Sequence, residues 1–398
     1  MTGTRTPAPG TVDTTLLDRV RDRLAVDAAE PTAEVIAAAI RAEAAGVLGD
    51  TDLLAALRFL QTELIGAGRL EHLLAEPDVA DILVVGPDRV WIDRGRGLEL
   101  SDVTFDDEAA VRRLAGRLAL GAGRRLDDAQ PWVDGQLSEV GRRGYTVRLH
   151  AVIPPIATDG TCISLRVLRP AGKTLQNLIA SGSIPAETVP VLRAILDARL
   201  AFLIIGGTGS GKTTMLNSLI GAMSVHERIL CVEDALELAP EHPHVVRMVA
   251  RTSNVEGAGE VPVRTLVRQA LRMRPDRIVV GEVRGAEVID LLSALNTGHD
   301  GCAGTLHANS TAEVPARMEA LAALGGMSRA ALHSQLSAAV RIVLGVARTA
   351  DGSRGLTEIA VVERGPDGMV STVPVWLRSS GFRDRRRLDD VVNRRVRT

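Results

Sequence analysis

From Thr15 to about Gly68 apolar residues recur at helical spacing, as in Val35, Ile36, Ala39 and Ile40 and again in Leu53, Leu54, Leu57 and Leu60. That period puts them on one helical face, and Pro31-Thr32 and Gly49-Asp50 divide the stretch into two or three helices. The pattern then changes. Ile82–Val85, Val90–Ile92, Thr146–Leu149 and Cys162–Val167 are short apolar runs bounded by Gly, Pro and Asp, which predicts strands. A helical pattern over Asp107–Leu120 interrupts them, and Pro170-Ala171-Gly172 reads as a hinge. From about Pro185 strands and helices alternate. Ala201–Ile205, Arg228–Val232, Arg277–Val280 and Ala303–Leu306 are apolar strands with helical patterns between them, which predicts a largely parallel sheet. Ile342–Val346 and Thr357–Val362 add two more strand-like runs.

The expected organisation is a disordered segment 1–14, a helical leader 15–70, an α+β domain 71–169, a linker 170–185, an α/β domain 186–378 and a basic tail 379–398. That tail holds seven arginines and three aspartates and reads as solvated chain able to meet anionic headgroups.

Composition narrows the class. The 398 residues are 45% hydrophobic and 24% charged, the balance of a soluble globular protein. A net charge of −2 and 2% aromatics argue against bulk electrostatic binding or base stacking of nucleic acid. The best apolar run, Leu200–Ile205, stops at Gly206, far short of a membrane span. The first residues lack a signal-peptide pattern, so a cytosolic location is expected. Cys162, Cys231 and Cys302 are too scattered for a disulfide framework or zinc site. Only Lys173 and Lys212 are lysines, against forty-five arginines, so a retained lysine suggests a task that a planar guanidinium does not suit.

Lys212 lies in the strongest motif of the chain. Gly206-Gly207-Thr208-Gly209-Ser210-Gly211-Lys212-Thr213 matches G-x-x-x-x-G-K-[ST], with an apolar strand before it and a helix from Thr214 after it. Such a loop turns backbone N–H groups inward as an anion cradle. Lys212 offers a compact charge to the β- and γ-phosphates, and the Thr213 hydroxyl can ligate Mg2+. Strand Arg228–Val232 ends in Glu233-Asp234, with Glu237 following. Strand Ile278–Val280 ends in Gly281-Glu282, with glycine where many phosphate-loop enzymes carry aspartate. One carboxylate there cannot both hold a metal and polarise water, so an acid among Glu233, Asp234 and Glu237 is expected to share the work through water. His299 and His307 form a third cluster without a further zinc ligand, and His307 could sense a γ-phosphate by hydrogen bonding.

In combination these segments resemble the type II/type IV secretion-system ATPase superfamily. Its four boxes correspond to Gly206–Thr214, Glu233–Glu237, Leu271–Arg284 with its terminal Gly-Glu-Val-Arg, and Thr297–Ser310. Upstream, Asp81–Val84, Pro131–Asp134, Arg148–Pro155 and Ile163–Arg166 resemble its N-terminal domain. Within the superfamily the chain is most similar to the Cpa/Tad branch of tight-adherence pilus motors, on the helical leader and the Pro154-Pro155 pair.

The resemblance implies a RecA-like P-loop ATPase domain behind an α+β N-terminal domain. It implies a homo-hexamer that hydrolyses ATP with Mg2+ to drive pilus assembly or protein secretion through integral inner-membrane platform proteins, peripheral to the cytoplasmic membrane and without nucleic acid. Gly206, Gly207, Thr208, Gly209, Ser210, Gly211, Lys212, Thr213 and Thr214 would hold nucleotide, and Thr213 and Glu282 the metal. Glu282, Glu237, Glu233 and His307 would act in catalysis, with Arg148 and Arg166 reaching nucleotide across domain or subunit contacts. Arg272, Arg274 and Arg284 are further candidates. The alternatives are a conjugation-type or pilus-retraction motor, a RecA-like nucleic-acid translocase, and a nucleotide-binding scaffold without turnover.

Overall fold

The computed structural model describes residues 19–20, 23, 33–44, 56–57, 60, 66–95, 97–140, 145–168, 173–251, 253, 258–296, 300–349 and 352–396. The expectations for segment 1–14, for the hinge at 170–172 and for Thr297, Gly298 and His299 fall outside these residues. The chain forms two compact units, residues 1–169 and 170–398.

In the first unit, helix α1 (Ala33–Glu43) buries Ile36, Ala39 and Ile40 in a small cluster with Val20, Ala56 and Leu60, the helical spacing read from the sequence. After α2 (Glu71–Ala75) come strands β1 (Asp81–Val85), β2 (Val90–Asp93) and β3 (Leu98–Leu100), then helix α3 (Glu108–Gly121). Asp107 caps α3 by accepting from the Ala110 N–H. Strands β4 (Trp132–Val140), β5 (Tyr145–Val152) and β6 (Cys162–Leu168) complete a six-stranded sheet in the order β3-β2-β1-β6-β5-β4. Its pairings are antiparallel, and alternate residues such as Ile82, Val84, Leu149 and Leu165 pack against Val111, Leu114 and Leu118 of α3.

The second unit runs α4 (Leu175–Ala180), α5 (Val189–Asp197), β7 (Phe202–Ile205), α6 (Lys212–Gly221), β8 (Ile229–Glu233), β9 (Val245–Val249), α7 (Val263–Ala270), β10 (Arg277–Val283), α8 (Glu287–Asn296) and β11 (Ala303–Leu306). Then come α9 (Val314–Leu324), α10 (Arg329–Ala339), β12 (Ile342–Arg348), β13 (Arg354–Arg364), β14 (Val370–Leu377), β15 (Gly381–Phe382) and α11 (Arg385–Val396). The sheet order is β15-β14-β13-β12-β7-β11-β10-β8-β9. From β12 to β9 every pairing is parallel, whereas β13 to β15 add an antiparallel edge. Strands β7, β8 and β11 are buried at every position, because helices cover both faces. Phe202 and Ile204 enter one core cluster, Leu203 and Ile205 the other.

Two expectations need correction. The linker read over 170–185 contains α4, capped reciprocally by Thr174 and Asn177, with Leu175 and Leu178 in the core of the second unit. The segment read as a solvated tail folds as α11, because Leu388 finds an apolar seat and is fully buried there.

Candidate functional site

Strand β7 ends at Ile205, and the glycine-rich loop leads directly into α6, whose N-cap is Gly211. The loop therefore stands at the carboxyl end of the central strand, where ligands sit in open α/β sheets. Lys212 is 8% exposed, and its Nζ donates to the carbonyl oxygens of Gly206 at 2.9 Å and Gly207 at 3.0 Å. Burial lowers its pKa, while the negative charge of Glu282 pulls the other way. Thr213 Oγ1 donates to Glu237 Oε2 at 3.1 Å.

Two strand ends bring the acids in. At the end of β8, Glu233 turns inward and is 3% exposed. Its Oε1 accepts from the backbone N–H of Glu237 at 3.1 Å and of Leu238 at 2.9 Å, so it shapes the turn that carries Glu237 to Thr213. Asn217 on α6 holds the next residue, its Oδ1 accepting from Ala239 N–H at 2.9 Å. Burial pushes the Glu233 carboxyl up to about 7, against those two hydrogen bonds. The space it fills comes from the neighbouring strand, since a Cβ on Gly281 would stand 2.7 Å from Glu233 Cγ.

Glu282 is presented by a bulge. Val280 is opposite Gly304 and Val283 opposite Leu306, so Gly281 and Glu282 together face Thr305 alone. Thr305 Oγ1 donates to Gly281 O at 2.7 Å and fixes the bulge. Arg284 donates to Glu282 Oε2 and, at 2.7 Å, to Asp234 Oδ2. His307 Nε2 stands 2.6 Å from Glu282 Oε1, a close contact that leaves this oxygen without a well-aligned hydrogen bond. Burial, then the Lys212 charge, lowers the His307 pKa, which favours the neutral imidazole.

Lys212, Thr213, Glu233, Asp234, Glu237, Glu282, Arg284 and His307 thus form one connected set around the loop. Arg272 and Arg274 do not join it. They precede β10 at its amino end, roughly 15 Å of strand away from Glu282. Arg148 and Arg166 belong to the first unit, where they are register partners on β5 and β6. Arg166 Nε pairs with Asp81 at 2.7 Å. Ser210, expected from the motif to hold nucleotide, has a buried Oγ without a partner. Arg317, whose charge acts on His307, has no signal in the sequence spacing.

A switch-point phosphate loop on a parallel sheet, with a bulged acidic strand beside it and an α+β unit before it in the chain, defines the RecA-like class of P-loop proteins. The chain belongs to the family described as type II/IV secretion system protein, whose profile matches residues 63–377. It is 64% identical over 338 residues to a protein of Mycobacterium tuberculosis named for conjugal transfer, covering 85% of this chain and 96% of the relative. It is 30% identical to a Sinorhizobium fredii protein named as conjugal transfer protein TrbB, covering 74% of this chain and 86% of TrbB. In fold it is similar to the Legionella pneumophila ATPase DotB, with a TM-score of 0.52 at 20% identity over 83% of this chain and 85% of DotB. Among the described residues no helix is long and apolar enough to cross a membrane.

Proposed function

We propose that this chain hydrolyses ATP to ADP and phosphate and works as the motor of a pilus-assembly or protein-secretion machine. The observation that carries the proposal is the convergence of Glu237, through Thr213, and of bulge-mounted Glu282 on the loop of Lys212.

Nucleotide and Mg2+ fit the residues present. Ser210 Oγ and Glu233 Oε2 are buried oxygens without hydrogen-bond partners, and such groups are rare unless a ligand or water meets them. Thr213 and Glu237, with Glu282 through water, would hold the metal. Among the described residues no three acidic, thiol or imidazole side chains are grouped for a metal, so phosphate oxygens and water would complete its shell. Bound there, Mg2+ supplies charge neutralisation to the triphosphate.

The loop N–H groups and Lys212 hold the β- and γ-phosphates. Glu282, oriented by Arg284 and His307, accepts a proton from the attacking water as its oxygen bonds to the γ-phosphorus and the bond to the β,γ-bridging oxygen breaks. Glu233 and Glu237 assist, the first by shaping the turn and the second by meeting Thr213. His307, beside Glu282, reports the γ-phosphate. Arg148 and Arg166 are proposed as arginines supplied to the nucleotide by a neighbouring subunit of a homo-hexamer.

The machine is proposed to lie at the cytoplasmic face of an inner membrane, engaging integral platform proteins of tight-adherence type and no nucleic acid. A conjugation-type motor is the second reading, favoured by relatives named for conjugal transfer. Phosphate release by wild type and Glu282→Gln tests the reaction. The variant is expected to lose about 100-fold or more in rate while still binding ATP. Equal rates would overturn the assignment of Glu282, and stimulation by single-stranded DNA would turn the proposal toward a translocase. Light scattering with ATP present tests the hexamer.

A further inference from the structure

We propose that Arg354 is a positioning residue for nucleotide, contacting it on the α-phosphate side of the loop and setting affinity rather than the rate of the chemical step. This rests on the ATPase reading above.

The hairpin of β12 and β13 flanks the phosphate loop at both ends. At the start of the loop, a Cβ on Gly206 would lie 2.2 Å from the Val346 carbonyl oxygen. At its end, a Cβ on Gly211 would lie 3.8 Å from Cβ and 4.0 Å from Cδ of Arg354. The aliphatic stem of Arg354 therefore runs past the N-cap of α6, where an anion is favoured by the helix end. Between these walls the loop is open, for a Cβ on Gly207 or Gly209 would meet nothing within 4 Å.

Arg354 is held in place by its neighbours and not through its own guanidinium. Gly355 packs so closely on Ser183 that a Cβ there would stand 2.4 Å from the Ser183 carbonyl oxygen. Leu356 N–H donates to that same oxygen at 2.9 Å. Arg378 clamps the strand, donating to Leu356 O at 3.1 Å and Gly182 O at 2.7 Å. The Arg354 side chain is exposed and, among the described residues, its guanidinium makes no hydrogen bond or ion pair. A guanidinium on a fixed backbone with its donors unused suits a phosphate oxygen.

The flank follows from the sheet order. Glu233, Glu282 and His307 come from the ends of β8, β10 and β11, all on one side of β7, and mark the γ-phosphate end. Arg354 reaches the loop from the β12-β13 hairpin on the other side of β7, the flank away from those acids, to which we assign the α-phosphate and nucleoside.

Calorimetric titration of the full chain with ADP, ATP and inorganic pyrophosphate tests the inference, alongside steady-state ATPase kinetics. Arg354→Ala and Arg354→Gln, the latter keeping most of the stem over Gly211, are expected to weaken ADP and ATP by the same factor of about tenfold or more. Pyrophosphate affinity should be unchanged, KM for ATP should rise with kcat within about twofold, and Arg354→Lys should recover part of the loss. Unchanged ADP affinity in both variants, or a fall in kcat at constant KM, would overturn the inference while leaving the ATPase reading intact. Failure of wild type to bind ADP or ATP would overturn the ATPase reading and this one with it.

Discussion

A Cβ added to Gly281 would stand 2.7 Å from Cγ of Glu233, so one strand leaves open the space that the acid of its neighbour fills. β8 and β10 are parallel neighbours with Val232 opposite Val280, which puts Glu233 and Gly281 one step beyond the last pair. The glycine where many phosphate-loop enzymes carry aspartate is therefore a seat for a carboxylate supplied by the adjacent strand. Gly281→Ala is expected to destabilise the protein by about 1–3 kcal/mol, as overpacking does, and to slow phosphate release. Denaturant unfolding of Gly281→Ala, Glu233→Ala and the double variant checks the cause. The double variant should cost less than the two singles together, whereas additive costs would show two independent sites.

Glu233 also predicts a pH dependence. Its carboxyl is raised from the ordinary range to about 7 by burial, so between those values the folded state holds a proton that the unfolded state releases. The stability from this group is complete below about pH 4.5 and is lost as pH rises through about 7, on the order of 3 kcal/mol in all. Glu233→Gln stays neutral and can still accept from the Glu237 and Leu238 N–H groups. Unfolding free energies at pH 5.5 and pH 8 should therefore fall more in wild type than in the variant. Parallel falls would mean that Glu233 is already ionised throughout.

Lys212 is buried with two carbonyl acceptors, a space that suits a small ammonium better than a planar fork. Lys212→Ala and Lys212→Arg are both expected to weaken ATP by about 100-fold or more, loss of one charged contact to phosphate being worth roughly 3 kcal/mol. Calorimetry with ATP is the check, and near wild-type affinity for Lys212→Arg would show that charge alone suffices.

The phosphate loop, the two acidic strand ends and the parallel order of the central strands were legible because each is a local pattern of apolar runs and turns. What remained hidden depends on contacts between distant segments. The bulge at Gly281-Glu282 arises from pairing with β11 and has no signature within β10. Strand β14 contains Pro374, which argues against a paired strand, yet Pro374 sits opposite Ala360 next to a register shift that tolerates it. Strand β4 carries Asp134, Gly135 and Gln136, so its polarity hides a strand that pairs along its length with β5. Arg354 is one of forty-five arginines, and only the hairpin beside Gly211 distinguishes it.

The same limit explains the chain end and gives a last prediction. Seven arginines in residues 379–398 dominate the composition, but a few apolar residues on the inner face, Leu388 foremost, decide the structure. Leu388 is fully buried and shares a core cluster with Trp376 and Ile359, and Val391 packs against that cluster. Removing a buried leucine side chain typically costs about 2–5 kcal/mol, whereas an exposed substitution changes stability by less than about 0.5 kcal/mol. Leu388→Ala should therefore lower the unfolding free energy by a few kcal/mol, while Arg386→Ala on the exposed side should leave it unchanged. Urea unfolding of the two variants separates a docked helix from a solvated tail. If Leu388→Ala were as stable as Arg386→Ala, α11 would not be part of the core, and the arginine-rich composition would after all have described this segment correctly.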